Sequence, residues 1–275
     1  MARTRFTVRA FTDVGLRRQR NEDAVLVAGW LCQNRDGSAV TMKFNPAPPF
    51  VCAVADGMGG HVGGELASVT ALSVIAQASP MWRSAEDVTE TLISVNEHVY
   101  AVGVQHGMQG LGTTVAGLCA TADHLFVFNV GDSRVYKRSP GHLGQMSNDH
   151  SIFGTDGRPT NVITKSLGQP GTVLPHVVQL LLMPGTFLMC SDGVSGLMSD
   201  QELSDLMLLD DLDETVVRII DTVRANGAHD NFSFIIVEIE MVDDSADETE
   251  AVAAAADTVI APVPERPQAV EQRAT

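Results

Sequence analysis

The sequence predicts an α+β fold: a four-layer α-β-β-α sandwich of two antiparallel sheets flanked by helix pairs. Three observations carry this. Strand-like and helix-like segments come in blocks, not in one-for-one alternation, so a layered α+β domain is favoured over a doubly wound parallel sheet. The helix-like segments come in pairs, each helix with one apolar stripe to bury. Three Asp-led turns, Asp56-Gly57, Asp192-Gly193 and Asp230-Asn231, follow or abut β-forming runs far apart in the chain. Side-by-side strands would turn their ends into one cleft, where carboxylates repel unless cations join them.

Residues 6–12, 24–28 and 50–55 are β-branched and aromatic enough to read as strands. Between the last two, Asp36-Gly37 is a hairpin signal and Pro46, Pro48 and Pro49 oppose regular structure, which predicts a surface hairpin and loop over 33–49. Two helices follow, one with Leu66, Val69, Leu72 and Ile75 every three residues, the other with Val88, Leu92, Val95, Val99 and Val102 at three and four. Strands resume over 113–120, 125–130 and 134–137, with a tight turn at Gly131-Asp132-Ser133, and continue at 177–182 and 186–190. A second helix pair, 200–208 and 213–225, precedes a last strand over 232–240. Residues 1–241 read as one domain and 242–275 as a disordered tail, acidic at first and then rich in Ala with Pro.

The chain has 275 residues, and 34 acidic against 18 basic ones leave a net charge of −16. That balance argues against nucleic acid or an anionic membrane surface as the main partner. It also means that any anion must be held by local positive charge, from metal ions, an arginine or a helix N-terminus. Cys32, Cys52, Cys119 and Cys190 form no CxxC pair, and three sit in apolar strand-like runs, as expected in a reducing cytosol. No run approaches the roughly 20 apolar residues of a membrane span, and residues 1–8 have no apolar signal segment. The expectation is a soluble, cytoplasmic monomer.

Two segments concentrate chemistry. Residues 13–23 join a glycine turn, the arginines Arg17, Arg18 and Arg20, and the acidic pair Glu22-Asp23; in one cleft the arginines would hold an anion and the acids a cation, although a solvated loop has the same composition. Residues 54–68 run from a buried strand through a glycine-dense loop into a helix. The lysine and hydroxyl of a phosphate-cradling G-x-x-x-x-G-K-[ST] loop are missing, so Asp56 reads as a metal bridge or as a turn cap.

At this point the chain resembles bacterial members of the metal-dependent PPM, or PP2C, family of serine/threonine protein phosphatases. The resemblance spans about residues 6–240 and rests on ordered motifs: residues 13–23, Asp56-Gly57-Met58-Gly59-Gly60-His61, Gly112-Thr113-Thr114, Asn129-Val130-Gly131-Asp132-Ser133-Arg134, Asp149-His150-Ser151, Ser191-Asp192-Gly193 and Asp230-Asn231. It implies that Asp56 bridges two divalent ions, that Asp192 and Asp230 ligate the first, and that the Gly57 carbonyl and Asp23 serve the second. Glu22 and Asn231 would stand behind these ligands, and Arg18 would hold the substrate phosphate. Few protein ligands, all of hard oxygen, suit Mn²⁺ or Mg²⁺ keeping several waters; zinc is not expected without a His/Cys cluster. The implied reaction is a single in-line displacement by metal-activated water, with Asp56, Asp192, Asp230 and Arg18 as the catalytic set and no side-chain nucleophile.

Some positions depart from the pattern. Met58 stands where eukaryotic relatives carry a histidine proposed as general acid, and His61, the nearest histidine, reads as structural. Asp132 matches a residue of a third, weaker ion site, yet Gly196 stands where many relatives supply another aspartate; Asp132 reads equally as a turn residue. Residues 152–160 suit a loop in place of a longer flap, which predicts an open cleft. Gly112-Thr113-Thr114 reads as a tight helix-to-strand entry and Asp149-His150-Ser151 as a hydrogen-bonded turn. The implied partners are phosphoserine and phosphothreonine proteins of a Ser/Thr kinase system. A non-catalytic phosphoprotein-binding regulator of the same fold and a small-metabolite phosphatase are the alternatives.

Overall fold

The computed structural model describes residues 2–33, 37–58, 63–154 and 159–243; Asp36, His61 and most of the tail lie outside them. In chain order the elements are β1 (Ala2–Asp13), β2 (Asp23–Val27), β3 (Trp30–Cys32), β4 (Val40–Phe44), β5 (Phe50–Met58), α1 (Gly63–Ala78), α2 (Ala85–Gln105), β6 (Gly112–Thr113), β7 (Val115–Ala120), β8 (His124–Val130), β9 (Arg134–Ser139), β10 (His142–Gln145), β11 (Ser151–Phe153), β12 (Pro159–Ile163), β13 (His176–Leu181), β14 (Gly185–Cys190), α3 (Asp192–Ser195), α4 (Asp200–Met207), α5 (Leu212–Ala225) and β15 (Phe232–Asp243). One sheet has the order β10-β9-β14-β15-β1-β4, the other β13-β8-β7-β5-β2-β3 with β6 also paired to β5. Every pairing with a described register is antiparallel.

Three apolar layers hold the sandwich together, and the strand period of two assigns side chains to them. From β5, Val51, Ala53 and Ala55 pack with Leu72 and Ile75 of α1 and Val88, Leu92, Val95 and Val99 of α2. Its alternate residues Phe50, Cys52 and Val54 enter the core between the sheets, with Phe187 and Met189 of β14 and Ile235 and Val237 of β15. Leu188 and Cys190 of β14 and Phe234 and Ile236 of β15 face Leu203 and Met207 of α4 and Val216 and Ile219 of α5. Burial on both faces is why these strands read as unbroken apolar runs. Helix starts are set locally: Ser84 accepts from the Asp87 amide at 3.2 Å while Asp87 accepts from the Ser84 amide at 2.9 Å, and Ser199 and Glu202 repeat this box at α4.

Two connections differ from the expectation. The strands on either side of the expected hairpin do not pair with each other: β3 pairs with β2 in one sheet and β4 with β1 in the other, and Asp36 of the turn lies outside the described residues. Neither a strand of three residues nor one of five has enough length to signal its partner. Residues 152–160 are not all loop either, because β11 and β12 pair with each other as a small ribbon; Pro159 is tolerated as the first residue of a strand, where its missing N–H matters least. The short strand β10 and the single-turn helix α3 were also not foreseen.

Candidate metal centre

The carboxylates meet at one end of the space between the sheets. Asp56 follows Phe50, Cys52 and Val54 on the parity of β5 that faces the inter-sheet core, and Asp23 precedes Val25 and Val27 on the same parity of β2. The two aspartates are partners in the β2/β5 register. Like charges directly across a strand pair are unfavourable, and Asp23 is fully buried besides. Asp192 enters from the other sheet, at the start of α3 just after β14, and Asp230 from the turn before β15.

Hydrogen bonds hold this placement. The Thr113 hydroxyl donates to the Asp56 carbonyl at 2.8 Å, and the Asp56 amide donates to Thr114 Oγ1 at 3.2 Å. Gly112-Thr113-Thr114 is therefore a direct support of Asp56, which is more than the strand entry expected of it. Ser191 Oγ donates to Asp23 Oδ2 at 2.8 Å, tying one sheet to the other. Behind it, the Ser233 amide donates to Ser191 Oγ, the Ser233 hydroxyl is bonded to Thr12 Oγ1 at 2.8 Å, and Asn21 Nδ2 donates to Thr12 Oγ1 at 2.7 Å. This buried polar chain was not foreseen, because Thr12 and Ser233 lie in strands and belong to no motif, and the motifs that hold Asn21 and Ser191 do not say which partners they meet. Asn231, expected behind the ligands, accepts from the Glu22 amide at 2.8 Å and donates to the carbonyls of Val14 and Arg20. It pins the arginine-bearing loop to the Asp230 turn.

Glycine makes the approach of these segments possible. A Cβ on Gly193 would lie 1.9 Å from the Asn231 carbonyl oxygen, and one on Gly57 would lie 2.0 Å from that of Gly64 and 2.7 Å from that of Glu22. Gly193→Ala is therefore expected to cost about 1–3 kcal/mol, as overpacking against backbone does, and to weaken metal binding by moving the Asp230 turn; denaturant unfolding and metal titration check this, and a variant equal to wild type in both would contradict it.

Arg18 reaches the site: its Nη2 lies 2.7 Å from Asp230 Oδ2, and that hydrogen bond is the main cause of its raised pKa. Arg20 pairs with Glu65 of α1 at 3.3 Å. Asp132 is 8% exposed beside the cleft and Gly131 before it has φ +104°, the turn the sequence predicts. Asp149 is held by Arg134 through both Nε and Nη2, at 2.9 and 2.7 Å to Oδ2, and the Gly131 amide donates to His150 Nδ1 at 3.1 Å, so Asp149 and His150 are bonded within the turn.

Burial pushes the Asp23 carboxyl up to about 7, with the charges of Asp192 and Asp230 adding to the effect and the Ser191 and Ser233 hydroxyls opposing it. Burial, then the charges of Asp23 and Asp192, holds Asp56 well above the usual carboxylate range. Asp192 is raised for the first of these reasons, and Asp132 reaches about 6 through burial and the Asp192 charge. Asp23 Oδ1 and Asp132 Oδ1 are buried without a hydrogen-bond partner. Crowded, protonation-prone carboxylates with orphaned oxygens fit divalent cations. Among the described residues no three His, Cys, Asp or Glu side chains form a group that could hold one ion as they stand. A cleft of about 600 Å³ opens beside the carboxylates, lined on this side by Asp132, Asp192 and Asp230.

Two sheets with helices outside and crowded carboxylates at one end define an α-β-β-α sandwich with a candidate site for divalent cations. The model of the family described as protein phosphatase 2C matches residues 31–233; Arg18, Glu22 and Asp23 lie before that match. A putative protein phosphatase 2C-type of Streptococcus pyogenes serotype M6 is 28% identical over 253 residues, which are 84% of this chain and 97% of the relative. The serine/threonine phosphatase stp of Listeria monocytogenes is 26% identical over 266 residues, 86% of this chain and 97% of its own. Among solved structures, the catalytic domain of the serine/threonine protein phosphatase PstP in complex with two manganese ions superposes with a TM-score of 0.71 at 25% identity, covering 87% of this chain and 100% of that one. The chain belongs to the protein phosphatase 2C family.

Proposed function

We propose that this protein hydrolyses phosphoseryl and phosphothreonyl esters of proteins, opposing a Ser/Thr kinase, with water as the nucleophile and no covalent intermediate. The observation that carries the reading is the in-register pair Asp23 and Asp56, joined by Asp192 from the opposite sheet and Asp230 with Arg18 upon it. Asp56, Asp192 and Asp230 would hold one Mn²⁺ or Mg²⁺, and Asp56, the Gly57 carbonyl and Asp23 a second, with Glu22 and Asn231 supporting them. The manganese pair in the PstP complex supports two ions. Bound ions would lower the pKa of a water to make it nucleophilic near neutral pH and neutralise charge on the phosphoryl oxygens.

The chain's own groups do the rest. Arg18, at present on Asp230, has the planar fork that grips two phosphate oxygens at once, and its half-exposed side chain can turn to do so. Thr113, Thr114 and Ser191 fix Asp56 and Asp23 so that little reorganisation is needed when charge moves. Asp132 remains available for a weak third ion; Gly196, the C-cap of α3, brings no carboxylate. Residues 1–241 would form the enzyme and 242–275 a tail outside it. No helix among the described residues is long and apolar enough to cross a membrane, and we place the protein in the cytoplasm as a monomer.

Purified protein with Mn²⁺ is expected to release phosphate from phosphothreonine peptides and to stop when EDTA is added. No release, or release indifferent to EDTA, would reject this function.

A further inference from the structure

The cleft extends away from the metal centre, and its chemistry there is acidic in excess of what metal binding uses. Its charged lining is Asp132, Asp149, Asp192, Asp200 and Asp230 against Arg134, with His229 at the rim. Arg134 is already committed: Nε and Nη2 donate to Asp149, and Nη1 donates to Tyr136 Oη at 3.0 Å. Its Nη1 lies 3.6 Å from Asp200, beyond hydrogen-bond length. With Asp192 and Asp230 assigned to an ion, Asp132 available for a third and Asp149 neutralised by Arg134, the carboxylate of Asp200 keeps only that long ion pair with Arg134, its side chain 86% exposed.

Its backbone is firmly placed, because Ser199 and Glu202 cap α4 at that point. Next to it the half-buried Leu197 lines the cleft, an apolar side chain against which the methylene stem of a lysine or arginine can lie while its head stays in water. A second, independent sign of a ligand is Ser151, which lines the same cleft at 8% exposure with no hydrogen-bond partner for its hydroxyl. Buried hydroxyls ordinarily have partners, so a polar ligand is expected beside it.

We infer that this cleft selects phosphoprotein segments carrying an arginine or lysine near the phosphorylated residue, and that Asp200 receives that cation. The inference rests on the phosphatase reading above and adds the substrate class. A cation at an exposed carboxylate gains a modest preference that salt screens.

The test is a set of phosphothreonine peptides in which one arginine is moved through the flanking positions, each compared with the alanine parent by kcat/KM on the full chain with Mn²⁺. At one or two positions arginine should raise kcat/KM roughly threefold to tenfold, and raised ionic strength should shrink the gain. In Asp200→Asn the ratio of arginine to alanine peptide should fall toward one, and in Asp200→Lys an acidic flanking residue should become preferred. Since a ratio is read, a general loss of activity cancels. Arginine without benefit at every position, or a preference that survives Asp200→Asn, would overturn the inference while leaving the phosphatase reading intact; no hydrolysis of any peptide would instead reject that reading.

Discussion

Asp192→Asn is expected to lower turnover on the order of 10²–10³-fold, the loss that follows removal of one preorganised charge-stabilising group, without unfolding the protein. The substitution keeps the shape of a side chain whose carboxyl, in the absence of cations, is raised by burial and shares a hydrogen bond with Asp56. Losing that charge relieves Asp56 and Asp23, both of which feel it. The metal-free variant at pH 7 should therefore melt no lower than the metal-free wild type, while the rise in Tm on adding Mn²⁺ should shrink. Phosphate release and thermal melts with and without Mn²⁺ check both halves. Wild-type turnover in Asp192→Asn would remove it from the metal set, and a variant that melts far below wild type would mean that its role is mainly structural.

The metal-stripped protein should lose stability as pH rises, the reverse of common acid denaturation. Asp23 and Asp132 are raised to about 7 and about 6, and Asp56 and Asp192 are also raised. An unfolded chain releases these protons near pH 4, whereas the folded chain keeps that of Asp132 to about 6 and that of Asp23 to about 7. Between those limits the native state binds more protons, so stability is fully present below about pH 4 and is lost as pH climbs through the folded pKa values. His150 acts in the opposite sense: burial lowers it to about 4, so its contribution is lost as pH falls from about 6.5. One imidazole is outweighed by several coupled carboxylates. Tm in EDTA should thus fall from pH 5 to pH 8, and Mn²⁺ should stabilise strongly at pH 8 and weakly at pH 5, where protons compete for the same oxygens. A Tm in EDTA that rises over this range would show that the carboxylates are not crowded without metal.

The layered fold was legible because its signals are local and repeated. The stripe of Val88, Leu92, Val95 and Val99 predicts a helix from neighbouring residues alone, and Phe50 to Ala55 and Phe232 to Ile239 declare strands by composition. Strands β3, β4, β10 and the ribbon β11/β12 were not legible, since at three to five residues each is stabilised by its partner and not by its own pattern. The motif aspartates were legible as a set, because order and spacing of several short motifs are far more specific than any one.

What the sequence by itself determined was the residue types of the site, Asp23, Asp56, Asp192 and Asp230 with Arg18, and the class of chemistry that hard oxygen ligands allow. Only the tertiary structure decided how they stand: Asp23 opposite Asp56 in one register, Ser191 bridging the sheets to hold Asp23, Arg18 resting on Asp230, and Asp200 left over at the mouth of the cleft. The physical reason is that side-chain identity is written along the chain, whereas burial, charge coupling and close glycine contacts depend on segments more than two hundred residues apart, and no local pattern encodes which of them will meet.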